Sequence, residues 1–307
     1  VGAVKGKDYT FVLTNTSAYV IQFVGPPFTF SVRQVGSNCG AIGQHSIKYV
    51  NGAVYWMGEA GGFFVYDGTV KALPCLVEDF VFTTKGDSLG INYQNGESVY
   101  AGLYTLYEEI VWFYPKAGSS EIDRCVTYNY QSGVWTTGSL ARTTYVDANL
   151  YDEPYATEFN TTGVPTFPTI QGVTNINGST IYYAHEKGNN QVDAAGNKTA
   201  IPAFIQSGDF DLSVGGDGQF FMSMRRFVPD FKVLTGDARI TINLRNYPTS
   251  TATSSPLGPF TITSSTDKVD TRARSRFASL KIENTSTDQS WRYGTFRADI
   301  QPDGMRG

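Results

Sequence analysis

At 307 residues, with 41% hydrophobic and only 17% charged side chains, the chain has room for two domains and too much apolar character for a disordered polymer. Aromatics at 14%, 32 glycines and a scarcity of Ala, Leu, Glu and Lys at helical spacing exclude a helix bundle and predict an all-β protein. The net charge of -4 is unevenly spread: residues 1–207 hold 11 Lys or Arg against 17 Asp or Glu, residues 208–307 hold 13 against 11, and ten of those 13 cations are Arg.

In chain order, Tyr9 to Leu13 and Tyr19 to Val24 flank Thr14-Asn15-Thr16-Ser17 as a first, faint strand pair. The clearest unit follows. Its strands Ile47 to Val50, Ala53 to Met57, Gly62 to Tyr66 and Thr69 to Leu73 are separated by Asn51-Gly52, Gly58 to Gly61 and Asp67-Gly68. Asn-Gly and Asp-Gly between apolar runs predict hairpins, because both central residues of a type I′ turn need positive φ. Leu103 to Ile110 is the one stretch with a helical pattern, and its aromatic neighbours favour strand. A third meander runs through Glu109 to Tyr114, Asp123 to Tyr130 and Val134 to Leu140, with Trp135 placed either between neighbouring sheets or as an ordinary core aromatic.

Residues 147–175, with Pro154, Pro165 and Pro168, read as an excursion loop. Strand signal returns at Ser179 to Ala184, Glu186 to Thr199 reads as a long hairpin tip, and Ala200 to Phe204 is expected to pair with Ser207 to Leu212 before a turn at Gly215 to Gly218. Five longer strands then follow, at Phe220 to Phe231, Ala238 to Tyr247, Phe260 to Ser264, Ala278 to Glu283 and Trp291 to Ile300, with a loop at Thr249 to Pro259. In the second, Ile240, Ile242 and Leu244 share one face, and Arg239, Thr241, Asn243 and Arg245 the other. The recurrent aromatic meander predicts β-propeller-like blades over 1–207, which Val1 in place of Met leaves open to being incomplete upstream, followed by an antiparallel β-sandwich-like domain over 208–307.

Chemistry is sparse. Cys39, Cys75 and Cys125 fit neither a disulfide framework nor a zinc site, and His45 and His185 read as structural or surface residues. Asp209 and Asp211 share a strand face and are a weak pair for a hard cation, while Gly215-Gly216-Asp217-Gly218 lacks the Lys of a phosphate loop. No catalytic residue, metal or cofactor is predicted, and no apolar run reaches the ~18 residues of a membrane-spanning helix. Five Asn-x-Ser/Thr triplets, beginning at Asn15, are what so Asn- and Thr-rich a chain makes by chance.

Three stretches carry a resemblance: Gly52 to Pro74, Ser207 to Leu212 followed by Gly216 to Phe221 and Arg225 to Phe231, and Trp291 to Arg306, ending in Asp299-Ile300-Gln301-Pro302-Asp303-Gly304-Met305-Arg306. Together they resemble the tail hub or nozzle proteins of short-tailed bacteriophages, the group that includes packaged-DNA-stabilisation proteins. The resemblance implies a non-enzymatic virion protein, a propeller-bearing subunit of a ring, typically a hexamer, that continues the double-stranded DNA channel below portal and adaptor and supports tail fibres or spikes. The chain departs from that family in being shorter and in its first residue. An acidic main body suits a conduit that must not grip phosphates, and Arg225, Arg226, Arg272, Arg274 and Arg276 are the candidates for docking carboxylates on neighbouring subunits. Two rivals from other classes are a lectin-like propeller that stacks sugars on Trp and Tyr, and a glycoside-acting enzyme with carboxylates in a central pocket.

Overall fold

The computed structural model describes residues 1–83, 90–148, 151–160, 179–192, 195–213, 218–247 and 256–305. Most of the expected excursion loop, the turn residues Gly215 to Asp217 and the 249–255 part of the expected loop lie outside them. Among the described residues the chain forms two compact units, one up to Lys187 and one from Gly188 onward.

The first unit is a series of antiparallel sheets, each built from consecutive strands. Strands β1 (Gly2–Lys5), β2 (Thr10–Leu13), β3 (Ser17–Gly25) and β4 (Thr29–Ser37) form the first, and β5 (Ile47–Val50), β6 (Ala53–Met57), β7 (Phe63–Tyr66) and β8 (Val70–Leu73) the second. After a short helix α1 (Glu78–Phe82), the third comprises β9 (Tyr100–Tyr104), β10 (Glu109–Tyr114), β11 (Arg124–Asn129) and β12 (Trp135–Gly138). A fourth contains β13 (Thr144–Val146), β14 (Tyr155–Asn160) and β15 (Ser179–Ala184). The opening strands of successive sheets touch, β1 on β5, β5 on β9 and β9 on β13, as the inner strands of propeller blades do.

Apolar faces join these sheets in sequence. Phe11, Leu13 and Val20 of the first sheet meet Val54, Trp56 and Tyr66 of the second. Met57 and Phe63 of the second meet Trp112, Val126 and Trp135 of the third. Val111 and Phe113 of the third meet Tyr145 and Ala156 of the fourth. Strand β10 is therefore buried on both faces, which is why Ile110 to Tyr114 is an unbroken apolar run instead of an alternating one. Indole N–H groups lock the sheets together: Trp56 Nε1 donates to the Cys39 carbonyl at 2.8 Å, Trp112 to Ser46 at 2.9 Å and Trp135 to Pro74 at 2.8 Å. Trp135 thus sits between sheets, 4.6 Å from Phe63 and 6.1 Å from Trp112 by ring centroids.

The second unit opens with a hairpin of β16 (Asn190–Val192) and β17 (Lys198–Ala200), followed by β18 (Ala203–Gln206), β19 (Phe220–Val228), β20 (Phe231–Thr235), β21 (Ala238–Arg245) and β22 (Leu257–Ile262). Strands β23 (Val269–Ser275), β24 (Phe277–Asn284), β25 (Ser290–Tyr293) and β26 (Arg297–Met305) complete it. One sheet has the order β18-β24-β21-β22, a second β23-β19-β26, and β20 pairs with β25. Met222, Met224 and Phe227 from one sheet and Ile240, Ile242 and Leu280 from the other share a core, an antiparallel sandwich-like packing.

Several details differ from the sequence reading. Residues 203–206 hydrogen-bond β24, not 207–212, so this stretch sits on the second unit, ahead of the expected boundary at 207. Phe210 makes its own bridge to Ala278, so both segments use the same partner strand. The expected strand Trp291 to Ile300 is two strands on two partners, β25 on β20 and β26 on β19. At the break, Gly294 N donates to the Asp230 carbonyl at 2.6 Å, and a Cβ there would meet Asp230 atoms at 2.9 Å.

Candidate functional site

The five arginines singled out in the sequence gather around one sheet, β23-β19-β26. Along β23, Thr271, Ala273 and Ser275 face the core while Asp270, Arg272 and Arg274 face out, and along β26 Arg297 and Asp299 face out beside inward Ala298 and Ile300. In β19 the register shifts between Met224 and Arg226. This bulge lets the consecutive residues Arg225 and Arg226 both point to solvent between buried Met224 and Phe227.

Not all of this charge is free. Arg226 Nε lies 2.9 Å from Asp299 Oδ2 and 3.8 Å from Asp270 Oδ1, and Arg274 Nε donates to Asp303 Oδ2 at 2.6 Å. The guanidinium of Arg274 rests 4.3 Å from the Phe221 ring centroid and that of Arg276 4.9 Å from it, so both cover an aromatic face. Arg276, like Arg225 and Arg272, has no carboxylate partner among the described residues, but only the latter two lack an aromatic contact as well. They line a concavity of about 460 Å³ together with Ser223, Arg274, Asp270 and Asp303. Two unneutralised guanidiniums beside fixed Arg–Asp pairs make a face suited to a carboxylate- or phosphate-bearing partner.

A second concavity, of about 730 Å³, lies in the first unit where loops entering the inner strands converge with turns of the first two sheets. Asn15 comes from the β2–β3 turn, Glu59 from the β6–β7 turn, Gln44 and His45 from the segment before β5, and Tyr93 and Glu97 from the 3₁₀ turn before β9. Asn92 starts that turn by accepting from Gln94 N at 3.1 Å. The loops meet backbone to backbone: a Cβ on Gly43 would lie 2.9 Å from the Gly96 carbonyl oxygen. The His45 ring stacks on Tyr100 with centroids 5.5 Å apart, and burial raises the pKa of the Tyr93 phenol. Amides, two carboxylates and an aromatic ring make a polar, ring-accepting cleft.

The cleft residues carry no motif and went unmarked in the sequence reading. The available signal was positional: they occupy corresponding loops of successive repeats. Of the other candidates, Asp209 Oδ2 accepts from Arg245 Nη1 at 2.9 Å and Asp211 Oδ2 from Gly218 N at 2.7 Å, so each carboxylate serves a local partner. Among the described residues no three His, Cys, Asp or Glu side chains converge as metal ligands, and no helix is long and apolar enough to cross a membrane. His185 is drawn into a buried cluster with Arg142, whose Nη1 lies 3.1 Å from Glu158 Oε2 and whose guanidinium is 4.0 Å from the Tyr183 ring centroid.

No protein-family model matches the chain, and no curated protein matches it. Among solved structures, one described as a glycoside hydrolase aligns at 9% identity over 92% of this chain and 81% of its own, with a TM-score of 0.28. An exo-beta-1,3-galactanase from Phanerochaete chrysosporium, solved with beta-1,3-galactotriose, aligns at 10% identity over 98% of this chain and 94% of its own, with a TM-score of 0.19. Likenesses of this degree carry no argument about activity.

Proposed function

We propose that the chain is a structural subunit of a short-tailed bacteriophage tail, of the hub or nozzle kind, which assembles into a ring with copies of itself. The ring passes double-stranded DNA without gripping it and meets portal or adaptor proteins and tail fibres or spikes. The observation that carries the reading is the outward Arg face. Segments that bear the family resemblance, Gly216 to Phe221 with Arg225 to Phe231 and Trp291 to Arg306, contribute to its paired strands β19 and β26, and Arg225 and Arg272 stand there unneutralised. A surface that fixes three Asp side chains with its own arginines and leaves Arg225 and Arg272 with neither a carboxylate nor an aromatic ring suits carboxylates from another subunit, and the acidic residues of 1–207 supply candidates.

Native mass spectrometry tests this. Wild type should appear as a closed oligomer and the Arg225→Glu/Arg272→Glu variant as monomer. A monomeric wild type across the micromolar range, or rings indifferent to the double reversal, rejects the reading.

The cleft favours a second reading, a carbohydrate-binding propeller. Glu59, Glu97, Gln44 and Asn15 would hydrogen-bond sugar hydroxyls and Tyr93 would stack on a pyranose face. Glycan-array binding by wild type that is lost in Glu97→Ala would support it, and reducing-sugar release abolished by Glu59→Gln would extend it to an enzyme.

A further inference from the structure

Among the described residues, the end of the β3–β4 hairpin gathers five exposed large apolar side chains of the first unit, Phe23, Val24, Phe28, Phe30 and Val32, with half-buried Ile21 at its base. Strand β2 accompanies β3 only as far as Ile21, opposite Thr10, so beyond that point β3 and β4 continue as a two-stranded ribbon. Its register alternates cleanly. Ile21 opposite Val32 and Phe23 opposite Phe30 lie on one face, whereas Gln22 opposite Ser31 and Val20 opposite Arg33 lie on the other. The Phe23 and Phe30 rings meet edge to face at 5.8 Å. At the tip stand Val24, Pro26, Pro27 and Phe28, with Phe28 81% exposed, Phe23 66% and Val32 65%. This is an amphipathic ribbon whose apolar face and tip lie in water, well beyond the single exposed side chains that any surface carries.

Its charges all have one sign but one. No Asp or Glu occurs from Tyr9 to Gly58, while Arg33 sits on the polar face of the ribbon. The row Lys5–Thr10–Ile21–Val32 runs across the four strands, which places Lys5 at the ribbon's base, and Lys7 and Asp8 lie in the adjoining β1–β2 turn. On the neighbouring sheet, Asp67 of the β7–β8 turn is neutralised by Lys71 at 2.8 Å. An aromatic tip above a basic collar has the two properties that hold a peripheral element at an anionic bilayer. Apolar side chains enter the headgroup boundary, and Lys and Arg stay at the level of the lipid phosphates. A protein partner would instead need a groove matched to this ribbon, and would require no such one-sided charge.

We propose that the β3–β4 ribbon is a docking element for an anionic phospholipid surface, with Phe23, Phe28 and Phe30 inserting and Arg33, Lys5 and Lys7 facing the headgroups. The proposal is independent of the ring reading, since it concerns a different sheet and needs no second copy. Flotation of the full chain with vesicles of phosphatidylcholine plus phosphatidylglycerol, and with phosphatidylcholine alone, tests it. Wild type should float with the mixed vesicles and much less with the neutral ones. Phe23→Ser/Phe28→Ser/Phe30→Ser should keep the wild-type melting temperature and lower partitioning by on the order of tenfold or more. Arg33→Glu should weaken binding to the mixed vesicles only. Wild type that stays unbound with both vesicles overturns the proposal. So does a triple variant that floats like wild type, or a ribbon found by ultracentrifugation to mediate self-association with no vesicle binding.

Discussion

Arg142 and His185 share a hydrogen bond in which guanidinium Nε donates to imidazole Nε2 at 2.9 Å. The acceptor must be a neutral ring carrying its proton on Nδ1. Burial first, and the neighbouring Arg142 charge second, lower the His185 pKa from 6.5 to about 4. Glu158 at 3.1 Å from Arg142 and the Tyr183 ring beneath the guanidinium keep the cation satisfied in place.

The first prediction follows from that pair. Between about 6.5 and 4 the unfolded chain binds a proton on His185 that the folded chain refuses, so stability falls as pH falls through this window and is fully present above it, by at most about 3 kcal/mol. His185→Gln supplies an amide oxygen for the Arg142 donor and has nothing to titrate. Urea titrations followed by tryptophan fluorescence should show the acid loss in wild type flattened in the variant. Superimposable pH profiles would refute this assignment.

The indole bonds between sheets give a second. Trp56 and Trp112 are both fully buried, but the Ser46 carbonyl that accepts from Trp112 also accepts from Met57 N at 3.4 Å, whereas the Cys39 carbonyl has Trp56 as its hydrogen-bond donor. Replacement by Phe leaves a void in both places and strips the donor from only one carbonyl. Trp56→Phe should therefore cost about 3 kcal/mol and Trp112→Phe about 2 kcal/mol in equilibrium unfolding. Equal costs would show that packing alone sets them.

A third concerns the wall of the cleft. A Cβ on Gly40 would fall 1.8 Å from the Asn15 carbonyl oxygen and 2.4 Å from Thr16 N, and backbone cannot step aside as a side chain can. Gly40→Ala should lose about 3 kcal/mol or fail to fold. Gly208→Ala, where nothing lies within 4 Å, should stay within about 0.5 kcal/mol of wild type. A stable Gly40→Ala protein would contradict the close approach of these two loops.

The three thiols supply a fourth. Cys39 and Cys125 are buried and Cys75 is half-buried. Burial pushes the pKa of Cys75 and of Cys125 up to about 11 and raises that of Cys39. At a pH near 8 only about one Cys75 in a thousand is thiolate. Iodoacetamide should label the native chain slowly, at Cys75 first, and all three thiols promptly once urea unfolds it. Fast native labelling read by peptide mass would sink this.

Legibility in the sequence followed chemistry that repeats. Asn51 and Gly52, at φ 49° and 86°, are the type I′ turn expected of that dipeptide, and the second sheet stands where the turns put it. Strand β23 escaped notice because its buried side is Thr271, Ala273 and Ser275, small or polar residues that leave no apolar alternation to read. Strand β4 escaped as well: its Phe30 and Val32 lie in water while Val35 packs on the core, so burial follows no single alternation along it. The arginines were visible one by one, and their convergence depended on a bulge and on pairing between strands β19 and β26, which are distant in sequence. The cleft was invisible because Asn15, Glu59 and Glu97 are ordinary loop residues until the sheets stack.

The order of the strands sets a timetable for synthesis. Each of the first three sheets closes on itself within one continuous stretch, residues 2–37, 47–73 and 100–138, so a nascent chain finishes each as it emerges from the ribosome and lays it on its predecessor. The second unit has no such freedom. Strand β18 waits for β24, and β19 completes its sheet only with β26, so this unit sets only once residues 277–305 have been made.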